Sequence, residues 1–463
     1  MQQVATCAVQ GSQMSQRNPA AHNPLYVVGV AATAALGGLM FGFDVAIITG
    51  AGPFIEQAFQ LDHLQLGLAF SSLLFGCVIG CAVAGTLADL LGRRAIMLAV
   101  ALVFAATTVA TGMANDFPSF LIARFLGGLA VGAVSLVAPM YVAEVAPARL
   151  RGRLGASYQM AVVTGILGSY FINYALRDTG PDAWRYMFYT GVVPSALFFF
   201  LMLINPETPR YLVLKGLHDK ARLVLNRIAG EAADEELNAI EKDLAEVKTD
   251  RTPASKSGLV RALTVSFFLA ILIHLSGINT IIDYAPSIFK SAGFELDAAL
   301  LSTFVVGIAI FAFTIVSFFT IDRFGRRPLY VWGSLGMAIS LIVMVGAVLT
   351  GHFSGMFVLT FIVIYIMFFS ACIGPVFWTL LPEIFPNAGR GKALIVPVLT
   401  QWVANAVVVL FFPVVFHRLG QAGTFSLLAA ACIAQALFFH FFVPETRNRS
   451  LEDIANAWNG PVK

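Results

Sequence analysis

Residues 85–94 read Gly-Thr-Leu-Ala-Asp-Leu-Leu-Gly-Arg-Arg, and the last six return as Asp322-Arg-Phe-Gly-Arg-Arg327, 233 positions later. Two more marks repeat at nearly the same offset. Glu144 with Arg151 seven residues on returns as Glu383 with Arg390 seven residues on, and Pro206-Glu-Thr returns as Pro444-Glu-Thr. Three paired signals in register indicate a duplicated unit. A duplicated membrane unit places its solute site between the two halves.

The chain around these marks is apolar. Of its 463 residues 58% are hydrophobic and 12% charged, against about 25% charged in a soluble domain. Mean hydropathy is +0.81. Disorder is excluded, since it needs low hydrophobicity and high charge. A soluble enzyme is excluded because so few charges cannot dress its surface. No Ser/His/Asp order, metal cluster or phosphate loop stands out, so no enzyme activity, cofactor or metal is expected. A net charge of +3 gives no reason to expect a nucleic-acid partner. The five cysteines show no metal-ligand spacing, and Cys77 and Cys81 read as small packing residues on one helix face. Residues 1–25 are polar, with no small-residue cleavage site after a short apolar core, and read as a cytoplasmic tail.

About twenty apolar residues cross a bilayer. Twelve such runs lie near 26–49, 64–88, 95–114, 118–142, 155–176, 185–204, 261–289, 298–321, 328–350, 356–381, 393–417 and 423–443. The expected fold is an all-α membrane protein, with six-helix bundles over 26–205 and 259–443. Residues 206–258 between them are charged and amphipathic, and predict a short intracellular helical domain. Residues 444–463 form a second tail. Of the 29 Lys and Arg, 24 fall on the side shared by the tails and the central segment. By the positive-inside rule that side is cytoplasmic.

The repeated motifs, with Pro206-Glu-Thr-Pro-Arg210, Pro444-Glu-Thr-Arg-Asn-Arg-Ser450, Ser276-Gly-Ile-Asn279 and Gly374-Pro-Val-Phe-Trp378, carry a resemblance. The chain resembles the sugar porters of the major facilitator superfamily, which include bacterial sugar/proton symporters and facilitative glucose transporters. The match runs from about residue 26 to 455. It implies the major facilitator fold, alternating access, a plasma-membrane location (the inner membrane of a bacterium), a lipid-embedded monomer and a small polar solute such as a sugar or polyol.

The charged motifs read as positive-inside anchors or as a latch between the bundles. The resemblance implies the latch for Asp89, Arg93, Arg94, Glu144, Arg151, Glu207, Arg210, Asp322, Arg326, Arg327, Glu383, Arg390 and Glu445. Asp89, Arg94, Glu144 and Arg151 are expected near one another, with Asp322, Arg327, Glu383 and Arg390 repeating the group. Single exposed pairs are worth ~1 kcal/mol or less, so only a network biases the equilibrium.

Within the membrane, Asp44 near the outer end of the first span and Arg124 near the outer start of the fourth lie at similar depth. Each sits roughly 9 Å deep at 1.5 Å per residue. An unpaired charge there costs at least ~2.5 kcal/mol, so the two are natural partners. They form either a static pair or a proton site in which protonation of Asp44 frees Arg124. The resemblance favours the second, because proton-coupled sugar porters carry Asp at this position where many uniporters carry Asn. The expected coupling ion is the proton.

Amides and aromatic rings suit sugars, binding paired hydroxyls and stacking on C–H faces. Gln159, Asn279, Trp378, Gln401, Trp402 and Asn405 offer them, and match the family's sugar-contacting positions in spans five, seven, ten and eleven. A polar residue alone in a span also serves as helix–helix glue. His274 and Asp283 stand out beside Asn279. Hexose porters usually carry two Gln where this chain has Ile273 and His274, Tyr where it has Asp283, and Asn where it has Ile310. Three amide contacts of ~1 kcal/mol each are thereby lost. That argues against ordinary glucose or xylose recognition and leaves a polyol, a modified sugar or another polar solute open. The function expected is proton-coupled uptake of a sugar-like solute. The alternatives are facilitated diffusion and, remotely, a transporter-like nutrient receptor.

Overall fold

The structure, a computed structural model, describes residues 24–147, 150–249, 256–385 and 390–445. All regular structure among them is helical. The first half holds α1 (Pro24–Phe59), α2 (His63–Leu91), α3 (Arg93–Met113), α4 (Phe117–Val145) and α5 (Arg151–Leu176). Its sixth span is split into α6 (Ala183–Tyr189) and α7 (Val192–Ile204). Three connecting helices follow: α8 (Pro209–Leu214), α9 (His218–Ala229) and α10 (Ala233–Thr249). In the second half, span seven is divided into α11 (Lys256–Leu275), α12 (Ile278–Asp283) and α13 (Ala285–Ser291). Then come α14 (Leu296–Phe324), α15 (Arg326–Leu349), and a tenth span of α16 (Gly355–Phe368), a π turn at Phe369–Ile373 and α17 (Gly374–Ile384). The chain closes on α18 (Arg390–Phe442), which is broken at Gly420 (φ 66°, ψ −177°) into spans eleven and twelve.

Among the described residues, ten helical stretches are long and apolar enough to cross a membrane. The difference from twelve has two physical sources. Spans eleven and twelve run together across Gly420 and count once. The fifth span, α5, is the more polar one. It carries Ser157, Gln159, Thr164, Ser169 and Asn173, the kind of face that lines an interior and not lipid.

Close helix contact rests on small residues. A Cβ added at Gly76, Gly80, Gly128 or Gly132 would fall within 2.3 Å of a carbonyl oxygen of the facing helix, so α2 and α4 pack backbone to backbone. Cys77 is fully buried in that seam and Cys81 nearly so, both free thiols. The outer surface is apolar, with Phe200, Phe319, Trp332 and Leu349 more than 60% exposed, as a lipid-facing surface requires. The connecting helices form a small core of their own. Leu212, Val213 and Ala221 pack against Leu237, Ile240 and Leu244, and Arg222 pairs with Asp234 at 2.8 Å.

Candidate functional site

The two charged turns are built alike. At Gly92 the backbone takes φ 101°, a value an L side chain resists, and α3 starts one residue later. The Glu207 carboxylate sits beneath that start, accepting from the backbone N–H of Arg93 and of Arg94, each at 3.1 Å, and of Thr208 at 2.9 Å. Burial pushes the Glu207 carboxyl above its ordinary range, against the lowering effect of these amides. Gly325 repeats the turn at φ 87°, and Glu445 accepts from the N–H of Arg326 at 3.1 Å and of Arg327 at 2.9 Å.

The arginines divide their work. Arg93, 3% exposed, reaches Asp89 at 2.9 Å, Glu144 at 3.1 Å and the Ala88 carbonyl at 3.0 Å. Arg94 donates instead to the carbonyls of Met202 and Leu203. In the second half Arg326 meets Glu383 at 3.1 Å, while Arg327 donates to the His440 carbonyl. Of the arginines expected near these acids, Arg93 and Arg326 make the ion pairs, while the side chains of Arg94 and Arg327 turn to backbone carbonyls. The first residue after the Gly turn points back under its own helix, and the second points along the neighbouring helix end. All these contacts lie within one half. Arg210 lies in the first turn of α8. The side chains of Arg151, Asp322 and Arg390 lie outside the described residues.

Asp44 of α1 and Arg124 of α4 meet as expected from their depth. Arg124 Nη1 donates to Asp44 Oδ1 at 2.7 Å, and Nη2 to the Asp44 backbone carbonyl at 3.3 Å. Both side chains are under 10% exposed. The guanidinium also lies 5.3 Å from the Phe188 ring, and its Nε has no partner among the described residues. Asp283 lies on span seven, in the other half. Asp283 is 6% exposed, and no hydrogen bond or ion pair to its carboxylate is seen among the described residues.

The candidate solute residues sit on spans five, seven, ten and eleven. Gln159 and Asn279 are half-buried, and Trp378 is exposed. Gln401, Trp402 and Asn405 are buried on span eleven. Gln401 Oε1, Asn405 Oδ1 and both ring nitrogens of buried His274 lack partners among the described residues. Such atoms call for water or solute, since an unmet buried polar group costs about 1–3 kcal/mol. No direct hydrogen bond joins these side chains to one another among the described residues. Trp402 also touches the first half, edge-on to Phe41 at 5.8 Å. Gly277 (φ 89°) breaks span seven between His274 and Asn279, as its weak helix propensity suggests. The π turn just before Gly374–Trp378 is of a kind frequent at functional sites.

Closure on the face opposite the connecting helices was not foreseen. Tyr284 stacks between Phe70 of the first half at 4.4 Å and Phe412 of its own at 5.1 Å. His63 and His417 stack across the halves at 4.1 Å. Arg177 reaches Asp297 at 3.2 Å. A Cβ at Gly67 would lie 1.9 Å from the Leu410 carbonyl oxygen. Aromatic rings and glycines are so common in this chain that no spacing singles these out.

A family model described as sugar (and other) transporter matches residues 30–458. The chain belongs to that family. Among curated relatives of this sugar transporter family member, the arabinose-proton symporter of Bacillus subtilis is 36% identical over 445 residues, covering 94% of this chain and 96% of that protein. The D-xylose-proton symporter of Escherichia coli is 34% identical over 486 residues, covering 96% and 98%. Among solved structures, the inward open conformation of the xylose transporter XylE from E. coli matches with a TM-score of 0.83. It is 32% identical and covers 94% of this chain and 100% of that one. The chain is thus a multi-pass membrane protein with the twelve-helix architecture of the major facilitator superfamily, and its family is one of transporters.

Proposed function

We propose that this chain imports a sugar or sugar-like polar solute together with protons by alternating access. The single observation that carries the reading is the Asp44–Arg124 pair, an acid and a base buried together in the first half at 2.7 Å. External protons neutralise Asp44. The Arg124 guanidinium then loses its counter-charge and the helices it holds are freed to shift. Solute held by Gln159, Asn279, Trp378 and Gln401 favours occlusion, and release of both to the other side restores the pair. Aspartate ionised beside Arg124 marks the returning carrier. The connecting helices and both tails lie on the cytoplasmic side of a bacterial plasma membrane, the protein works as a monomer, and no cofactor beyond the coupling proton is needed.

The charged turns complete the cycle in this reading. With the face beside the connecting helices closed, the Asp89–Arg93–Glu144 and Arg326–Glu383 groups come together across the halves as a latch. The relatives named for arabinose and xylose support a sugar as solute. Ile273, His274, Asp283 and Ile310 argue for one that differs from xylose or glucose, and the two bare nitrogens of His274 supply a donor and an acceptor in place of a lost amide.

Asp44→Asn copies the protonated acid. In proteoliposomes it should abolish accumulation driven by a proton gradient and preserve solute exchange. If the variant still concentrates solute when only a proton gradient is applied, Asp44 is not the coupling acid. If the unaltered protein only equilibrates solute, the chain is a facilitator.

A further inference from the structure

We propose that His63 and His417 form a proton-operated clasp on the face opposite the connecting helices, closed when the rings are neutral and released when both carry charge. His63 opens α2 in the first half, and His417 lies three residues before the Gly420 break in the second. Their rings stack at 4.1 Å with a 31° tilt, and both side chains are exposed. They line a cleft of about 220 Å³ together with Glu56 of α1, Tyr284, Lys290 of α13 and Phe416. Each half contributes one imidazole, so the stack exists only while this face is closed.

Histidine is the side chain that changes charge between about pH 5 and pH 8. The charged groups that face the pair are Glu56 and Lys290, which cancel while the rings are neutral. Asp62 is engaged in capping α2, accepting from Gln65 N at 2.8 Å, and Arg418 follows His417 in the chain. A first proton is balanced by Glu56 and leaves the clasp intact. A second places two like charges at the stacking distance, with Lys290 adding to them. By Coulomb's law in bulk water, unit charges that close shift an opening equilibrium about fivefold, and more where the dielectric is lower. Beneath the rings, Tyr284 stacked on Phe70 is the next barrier to separation, so the clasp biases the gate without being all of it.

The benefit to transport rests on the orientation proposed above. If the cleft faces outside, the acid that supplies the coupling protons also opens the carrier toward them, and turnover rises with external acidity beyond the effect of Asp44.

The test separates the clasp from coupling. Purified protein carrying Asp44→Asn is spin-labelled at Met113→Cys and Leu349→Cys, at the ends of α3 and α15 on this face, with the native cysteines replaced. The inter-label distance distribution is measured between about pH 8 and pH 5. The open fraction should rise about fivefold or more on acidification. His63→Phe and His417→Phe keep a stacking ring without the charge, and should each flatten the response. The double substitution His63→Lys and His417→Lys fixes both charges and should raise the open fraction already at the alkaline end. A distance distribution insensitive to pH, or an undiminished response in both Phe variants, overturns the proposal. Because Asp44→Asn removes coupling and the sample has no sidedness, a failure here leaves the symport reading untouched. Failure of symport in vesicles likewise leaves the clasp standing.

Discussion

Gly67 gives the sharpest lever on the alternating cycle. It is the point where α2 of the first half meets span eleven of the second, backbone on backbone. A Cβ there would lie 1.9 Å from the Leu410 carbonyl oxygen and 2.8 Å from its carbon, whereas ordinary contact begins at 3.4 Å. Gly67→Ala therefore needs the helices to part by about 1.5 Å, and neither clashing atom belongs to a side chain that swings away. Overpacking of this size costs about 1–3 kcal/mol, which moves a two-state equilibrium roughly five- to 150-fold. The variant has somewhere to go, since the clash vanishes when the halves separate on this face. Gly42 is the control. Its added Cβ would lie equally close, 1.9 Å from the Val162 carbonyl oxygen, but between α1 and α5 inside the first half, away from the contact between the halves. Gly67→Ala should leave thermal stability near that of the parent while labelling of Ser287→Cys in the cleft rises at least fivefold. Gly42→Ala should lower stability by about 1–3 kcal/mol and leave the labelling ratio alone. If Gly67→Ala unfolds the protein as Gly42→Ala does, or leaves Ser287→Cys protected, closure on this face is not one state of a moving pair of halves.

Three further outcomes follow from the charged turns and the solute wall. Arg93→Ala strips Glu144, whose side chain is 9% exposed, of its ion pair with buried Arg93 and should destabilise by about 3 kcal/mol, read by thermal unfolding in detergent; an effect like that of an exposed surface arginine would show that the pair is solvated. Glu207 has a folded-state pKa raised by burial, so the stability it contributes is present below the ordinary glutamate range and lost as pH rises through its folded pKa. Glu207→Gln should remove that decline from a stability–pH profile, and an unchanged slope would assign it elsewhere. His274→Gln, which returns an amide to a position where hexose porters carry one, should tighten competition by glucose or xylose by up to tenfold, about one hydrogen bond; unchanged competition across a panel of sugars, polyols and cyclitols would remove His274 from the solute wall.

The legible parts of this chain are those where lipid forces the issue. Charges are so costly in the membrane that Asp44 and Arg124 could be paired from depth alone, and the structure joins them. Lys and Arg are so unevenly placed that the connecting segment stood out as charged helix, and helices lie there. Gly277 breaks span seven with a positive φ, and glycine is the weakest helix former short of proline. What was hidden depends on where side chains point. Arg93 and Arg94 are adjacent and identical in chemistry, and only the positive φ at Gly92 decides which one turns under the helix toward Glu144. The π turn at Phe369–Ile373 packs on spans eight and nine of its own half, whereas the break at Tyr284 and the contacts of His63, Phe70 and Gly67 with span seven or eleven arise from packing between halves far apart in sequence. No local periodicity records them.

The account turns on whether protons drive the solute. The direct measurement is solute uptake by proteoliposomes containing the unaltered protein, with the interior made alkaline and no solute gradient imposed. A competition panel would first choose the sugar. The account predicts transient accumulation above the external concentration, collapse on adding a protonophore, and alkalinisation of the medium in step with solute entry. Uptake that rises only to equilibrium, with no proton movement accompanying it, would contradict the account and make the buried Asp44–Arg124 pair a fixed strut.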